Sequence, residues 1–330
     1  MALVQLLAGL ALLLVGGRLL VDAAVAIAWR LGVPPLLIGL TVVAWGTSAP
    51  ELALNLTASV LGTPDLTLGN VVGANLCNLG LALGIAALVR PLVVHATVVQ
   101  REIPMLLLLM ALFAAATLGG DHVGLPLRRL KGGMMLVLFA SYSIYVVRAG
   151  LRQRQEDQEL TEEVAQSERP LGSAPLRLAL VALLGGLALL TVGGNMAARA
   201  AVDIAHALGV SDRVVGVTIV SIGTTLPEMA TGLIAVLRGH VDLTVGNAVG
   251  SCLFNLGCIY GLCSLIAPAP APPGALPSIA AMCVLGAALV PMSRASNRAL
   301  ARLEGTLLLI IYGLWMAVEL MGAQARTPLR

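Results

Sequence analysis

Two glutamates sit where the chain has least use for a charge. Glu51 lies in the apolar stretch 39–80, GLTVVAWGTSAPELALNLTASVLGTPDLTLGNVVGANLCNLG, and Glu228 in the stretch 216–257, GVTIVSIGTTLPEMATGLIAVLRGHVDLTVGNAVGSCLFNLG. The second stretch copies the first. Glu51 matches Glu228, Asp65 matches Asp242, Gly69-Asn70 matches Gly246-Asn247 and Asn78 matches Asn255, always 177 residues apart, and about half the aligned positions are identical. A carboxylate inside an apolar run is costly, and such residues mark functional sites.

The neighbours of each glutamate are oxygen donors. In Gly46-Thr47-Ser48-Ala49-Pro50-Glu51, the proline cannot donate to the Gly46 carbonyl and its ring pushes that carbonyl aside. Freed carbonyls within a bilayer are tolerated where an ion or water satisfies them. Thr47 and Ser48 precede Glu51 by four and three residues, so their hydroxyls share its helical face. Carboxylate, hydroxyls and loosened carbonyls form a hard-cation set, suited to Ca²⁺ or Na⁺ and poorly suited to zinc or copper. Gly223-Thr224-Thr225-Leu226-Pro227-Glu228 repeats it. The next span of each half adds Asn78 or Asn255, whose amide oxygens complete the shell. One turn earlier stand Ala74 and Ser251, so the halves differ there by a hydroxyl. Gly69, Gly73, Gly246 and Gly250 have the spacing that lets membrane helices approach closely.

One TSAPE alone reads equally well as a proline kink; two copies at one offset, in spans of opposite orientation, favour function. Asn70 and Asn247 read as bonds between helices. Asp65 and Asp242 fall in short loops and read as helix caps. His95, His122, His206 and His240 lie near span ends without metal spacing, and read as interfacial. Cys77, Cys252, Cys258, Cys263 and Cys283 form no CxxC pair and read as free thiols in apolar runs.

Positioning these residues requires long apolar helices. Of the 330 residues, 58% are hydrophobic and 11% charged, with mean hydropathy +0.94. A soluble domain carries about 25% charged residues, and a helix needs roughly 20 apolar residues to cross the bilayer. The expectation is an all-α polytopic membrane protein with about ten transmembrane helices, at 3–28, 34–60, 68–89, 103–119, 131–149, 176–207, 211–237, 243–266, 275–292 and 303–322. The first run lacks a basic leader and continues past Arg18 and Asp22, so it reads as a span, not a signal peptide. The last pair of spans also repeats: Arg129-Leu130-Lys131-Gly132 opens the fifth and Arg302-Leu303-Glu304-Gly305 the tenth.

Five spans per copy is odd, so the halves enter the membrane from opposite sides, a transporter architecture with its site at midplane. The expected division is a first repeat over 1–149, a polar linker over 150–175 and a second repeat over 176–330. Placing the linker in the cytoplasm, with Arg30, Arg90, Arg101, Arg238, Arg294, Arg298 and Arg302, leaves Arg128, Arg129, Lys131, Arg199, Arg213, Arg326 and Arg330 opposite. That bias favours a cytoplasmic linker and both termini outside. The net charge of +3 is scattered between spans and gives no reason to expect nucleic acid. The expected partners are membrane lipid and small cations, with no obligate protein partner.

The paired motifs GTSAPE with GNVVGANLCN, and GTTLPE with GNAVGSCLFN, resemble the two repeats of the cation/calcium exchanger superfamily, which includes sodium/calcium exchangers. The resemblance covers the whole ten-span plan. It implies an antiporter in a prokaryotic inner membrane, working by alternating access, with no cofactor and no enzymatic activity, whose first and sixth helices slide against an ion-holding core. It makes Glu51 and Glu228 the carboxylates shared by Ca²⁺ and Na⁺, Thr47 and Thr224 Ca²⁺ ligands, and Ser48 and Thr225 the lining of flanking Na⁺ sites with the Ala44 and Ser221 carbonyls. Asn78, Asn255 and Ser251 complete the expected set. Sodium/calcium members often carry aspartate where this chain has Asn255 and serine where it has Ala74; losing that charge and that hydroxyl argues for weakened sodium coupling. The alternatives are a proton/calcium or other divalent-cation antiporter, and a cation channel. A hydrolase would need a nucleophile with its base or a metal cluster, and the sequence offers neither.

Overall fold

The computed structural model describes residues 1–118, 124–161, 175–208, 221–268, 270–272, 274–294 and 299–325. Helices dominate them: α1 (Ala2–Leu31), α2 (Pro35–Thr47), α3 (Ala49–Val60), α4 (Asp65–Val89), α5 (Val98–Thr117), α6 (Leu125–Thr161), α7 (Leu176–Ala207), α8 (Ser221–Thr224), α9 (Leu226–Leu237), α10 (Val241–Ile266), α11 (Leu276–Arg294) and α12 (Arg302–Ala325). Eight are long and apolar enough to span a bilayer, and α2 with α3 forms one more crossing, bent by 46°. The expected span 211–237 is described only as α8 and α9, its first ten residues lying outside the described set. The chain is thus an all-α polytopic membrane protein, apart from strands β1 (Leu92–Val93) and β2 (Ala299–Leu300), which pair antiparallel.

Boundaries differ from the sequence reading where polar residues enter helices. The fourth crossing begins at Val98, not 103, because a π turn over Val98–Glu102 carries Gln100, Arg101 and Glu102 into the span. The fifth runs on to Thr161, so the linker begins as helix; 162–174 lie outside the described residues, as do His122, Arg213, Arg298, Arg326 and Arg330. Asp65 and Asp242 are not helix caps in loops: Thr63 and His240 hold the cap positions. The two aspartates stand inside the first turns of their helices, where the dipole favours acids, and Asp242 also meets His95 at 3.1 Å. Arg128, expected as a loop charge, is buried. The five cysteines stand as thiols outside any disulfide, with Cys77, Cys252 and Cys263 buried and Cys258 and Cys283 half-buried.

The duplication is visible as packing. A methyl on Gly9 would lie 2.7 Å from the Ala197 nitrogen and 2.8 Å from the Gly193 oxygen. On the mate of Gly9, Gly186, it would lie 2.8 Å from the Leu20 nitrogen and 2.9 Å from the Gly16 oxygen. Each of these residues is the 177-residue mate of its counterpart. Low residue numbers on α1 meet high ones on α7, so these repeat mates run antiparallel, as inverted halves require. Likewise Gly84 packs against Leu309 and Gly305 of α12, and its mate Gly261 against Leu136 and Gly132 of α6.

The two-fold relation fails where α1 meets α9. α1 packs along α9, and its Gly17 faces Ile234 and Ala230; the matching contact of α7 on α3 is all but missing. Ile234 is accordingly 5% exposed and Pro227 buried, whereas their mates Thr57 and Pro50 are exposed and half-buried. The α1–α7 pair leans towards the second half, leaving α3 uncovered at the end of the molecule opposite the linker.

Candidate functional site

The bend between α2 and α3 falls at Ser48 (φ −85°, ψ 5°), and the break between α8 and α9 at its mate Thr225 (φ −90°, ψ 0°). Both follow from a proline in the first turn of the second segment, Pro50 or Pro227, which has no amide to extend the preceding helix. Each break starts a new helix N-terminus, and Glu51 and Glu228 occupy those first turns. Asn78 and Asn255 lie on the facing spans in matching π turns, Cys77–Ala82 and Asn255–Tyr260. Such turns interrupt regular helix hydrogen bonding and recur at functional sites.

The carboxylates are buried at 2% exposure each and close enough for their charges to interact. The halves interlock around them. Ser48 Oγ donates to Glu228 Oε1 at 3.0 Å, Thr47 Oγ1 lies 3.4 Å from Asn247 Oδ1, and Asn247 Nδ2 donates to the Glu228 carbonyl at 3.3 Å. Asn247 therefore bonds across helices, as expected of it. Thr47 donates its proton to the Val43 carbonyl at 3.0 Å, which leaves oxygen lone pairs available.

Among the described residues, Glu51 Oε1 and Oε2, Glu228 Oε2, Asn78 Oδ1 and Asn255 Oδ1 are buried without a protein donor. Buried acceptors of this kind are rare in folded proteins, and unsatisfied ones are costly. Converging from both halves and lacking nitrogen or sulfur ligands, they form an environment for a hard cation. The Ala44 carbonyl is more engaged than expected: it accepts the Ser48 amide at 3.1 Å and lies 3.3 Å from Thr47 Oγ1 and 3.5 Å from Ser251 Oγ. Thr225 is buried and Thr224 half-buried; Ser221 opens α8, with its side chain outside the described set.

Sequence reasoning passed over Asn55, Asn75 and Glu102, each buried with an oxygen lacking a protein donor among the described residues. Asn55 had a signal, being one helical turn beyond Glu51. Glu102 was hidden by starting its span five residues late. No cluster of three or more His, Cys, Asp or Glu able to hold a metal occurs among the described residues.

Inverted repeats, broken helices and an oxygen-only site at their meeting point define a secondary carrier of small cations. The family model described as sodium/calcium exchanger protein matches residues 1–148 and 178–321, and the chain belongs to that family, one of membrane antiporters rather than enzymes. Inner membrane protein YrbG of Escherichia coli (strain K12) is 36% identical over 80% of this chain and 79% of its own. Sodium/calcium exchanger MaX1 of Methanosarcina acetivorans is 26% identical over 80% and 82%. A solved structure of the sodium-calcium exchanger NCX_Mj superposes with a TM-score of 0.79 at 29% identity, over 96% of this chain and 98% of that one.

Proposed function

We propose that the protein exchanges Ca²⁺ for Na⁺ by alternating access. The observation that carries this reading is the pair of buried glutamates, one from each inverted half, amid acceptors without protein donors among the described residues. Glu51 and Glu228 hold either cation, Thr47 and Thr224 add ligands for Ca²⁺, and Asn78 and Asn255 close the shell. Ser48, Thr225 and Ser251, with the Ala44 and Ser221 carbonyls, line the flanking sodium positions. Empty, the two carboxylates would cross a low-dielectric barrier at a cost of several kcal/mol per ion; one Ca²⁺ or two monovalent ions neutralise them. The carrier therefore changes sides only when loaded, the condition for obligatory exchange. The lean of α1 and α7 onto α9 supports alternation: a mirror-image lean onto α3 would open the other face.

Residues 1–149 and 176–330 act as the two repeats about a cytoplasmic linker at 150–175, in a prokaryotic inner membrane with both termini outside. Lipid and the transported cations are the partners.

Asn255 and Ala74 favour a second reading, proton-driven calcium exchange, because they lack the charge and hydroxyl that would strengthen sodium binding. Calcium uptake into proteoliposomes under separately imposed sodium and proton gradients decides. The first reading expects uptake driven by outward sodium alone, unaffected by membrane potential if two Na⁺ balance one Ca²⁺. Uptake that needs only a pH gradient selects the second. Downhill calcium flux without any counter-ion rejects both in favour of a channel.

A further inference from the structure

Two buried residues on α3 depart from the repeat in polarity. Asn55 and Ser59 follow Glu51 by four and eight residues, so all three share one helical face, and all three are buried. Their mates in the second half are Gly232 and Val236, equally buried. The same place in the fold is thus built once with an amide and a hydroxyl and once with no polar side-chain atom.

The third member is shared between halves. Thr67 Oγ1 donates to the Asn55 carbonyl at 3.3 Å, as its mate Thr244 does to the Gly232 carbonyl at 2.9 Å. Only in the first half does that hydroxyl also meet another, Ser59 Oγ at 3.3 Å. Asn55 Nδ2 donates to the Glu51 carbonyl at 2.7 Å, which fixes the amide's orientation. Its Oδ1 remains, on a residue 0% exposed, without a protein donor among the described residues.

We propose that Asn55 Oδ1, with the Ser59 and Thr67 hydroxyls, forms a cation subsite unique to the first half, one turn beyond Glu51 towards the α3–α4 loop, whose ligand is a monovalent cation such as Na⁺. The donors are neutral oxygens, and hydroxyls that donate elsewhere still have lone pairs to offer. Ca²⁺ is ordinarily held by carboxylates, and none belongs to this set; Glu51, a turn away, attracts the ion without ligating it. The subsite rests on the exchange reading and gives it a direction: a monovalent ion has a stepping place between Glu51 and the face opposite the linker, and no equivalent beyond Glu228.

Thermal unfolding of the purified full chain tests this, titrated with NaCl against choline chloride at constant ionic strength and, separately, with CaCl₂ in sodium-free buffer. Both ions are expected to stabilise the wild type. Ser59→Ala, which removes one oxygen, is expected to raise the half-saturating sodium about fivefold, and Asn55→Val more, with the calcium titration unmoved. The subsite is refuted if sodium titrates in Ser59→Ala and Asn55→Val as in wild type. It is equally refuted if sodium and calcium shift together, since Asn55 would then only brace Glu51. Stabilisation of the wild type by calcium alone removes the subsite and leaves the central site standing. Stabilisation by neither ion removes the exchange reading along with it.

Discussion

A carboxylate in this site has few substitutes. Among the described residues, Glu51 offers two oxygens without a protein donor, and Glu228 offers one besides the oxygen that Ser48 holds. Glu51→Gln and Glu228→Gln keep the shape and remove the charge. Losing one charged ligand is worth about 3 kcal/mol, roughly a hundredfold in affinity, so calcium uptake should fall below detection in either variant. Elution on gel filtration should stay unchanged. Near-normal uptake in either one would sink the central assignment. These residues were legible because duplication marks them twice. Asn55 and Glu102 were not, because neither has a polar mate: Gly232 stands opposite one and, at the shorter offset that matches Pro104 to Pro277 and Arg129 to Arg302, Ala275 opposite the other. A repeat reveals what both halves share and conceals what one half adds.

At the scale of elements, the α1–α7 crossing makes the sharpest demand. A methyl on Gly193 would meet the Gly9 oxygen at 2.8 Å and the Leu13 nitrogen at 2.9 Å; on Gly16 it would meet the Leu190 nitrogen at 2.9 Å. These neighbours are backbone, so the helices must separate. Gly16→Ala and Gly193→Ala should each cost about 1–3 kcal/mol, and the two melting-temperature drops should match, because the sites are repeat mates. Unequal drops would mean the crossing is not two-fold. The spacing of these glycines was visible in sequence, but the antiparallel partner was not, since nothing local encodes which distant helix fills a groove.

A second element-level contact is one-sided. Arg238, just past α9, pairs with Asp22 of α1, while the mates of these residues, Leu61 and Arg199, cannot form an ion pair. Burial holds the adjacent His240 below the ordinary imidazole value, so at neutral pH it adds no competing charge. The pair therefore ties α1 to α9 in the conformation seen, and has no counterpart in the mirror-image one. Exposed pairs are worth up to about 1 kcal/mol, about fivefold in population. Under alternating access, Arg238→Ala should lower the half-saturating calcium at the linker face by up to that factor. Exchanging the charges, Asp22→Arg with Arg238→Asp, should restore it. No change in the single variant, or no rescue in the double, would dismiss the latch.

The whole molecule combines an orientation read from charge with an asymmetry read from packing. Among the described residues, the succession of crossings and the antiparallel α1 and α7 put the ends of α6 and α7 that flank the linker, the β1–β2 ribbon and Arg238 on one face, and the uncovered flank of α3 towards the other. If the linker is cytoplasmic, that flank opens outward. The arginines give an expectation for the orientation; the lean was illegible, because two such similar repeats carry no sign of which one α1 will lean on. Single cysteines test both at once, in a background with the five native thiols replaced. Gln158→Cys in the linker should react with an impermeant maleimide only when the cytoplasmic face is presented. Thr57→Cys, exposed on α3, should react from outside, and Ile234→Cys, its mate under α1, should stay protected from both faces while the carrier holds this conformation. Outside labelling at 158 would invert the topology. Equal labelling at 57 and 234 would mean that the lean of α1 and α7 does not describe the resting carrier.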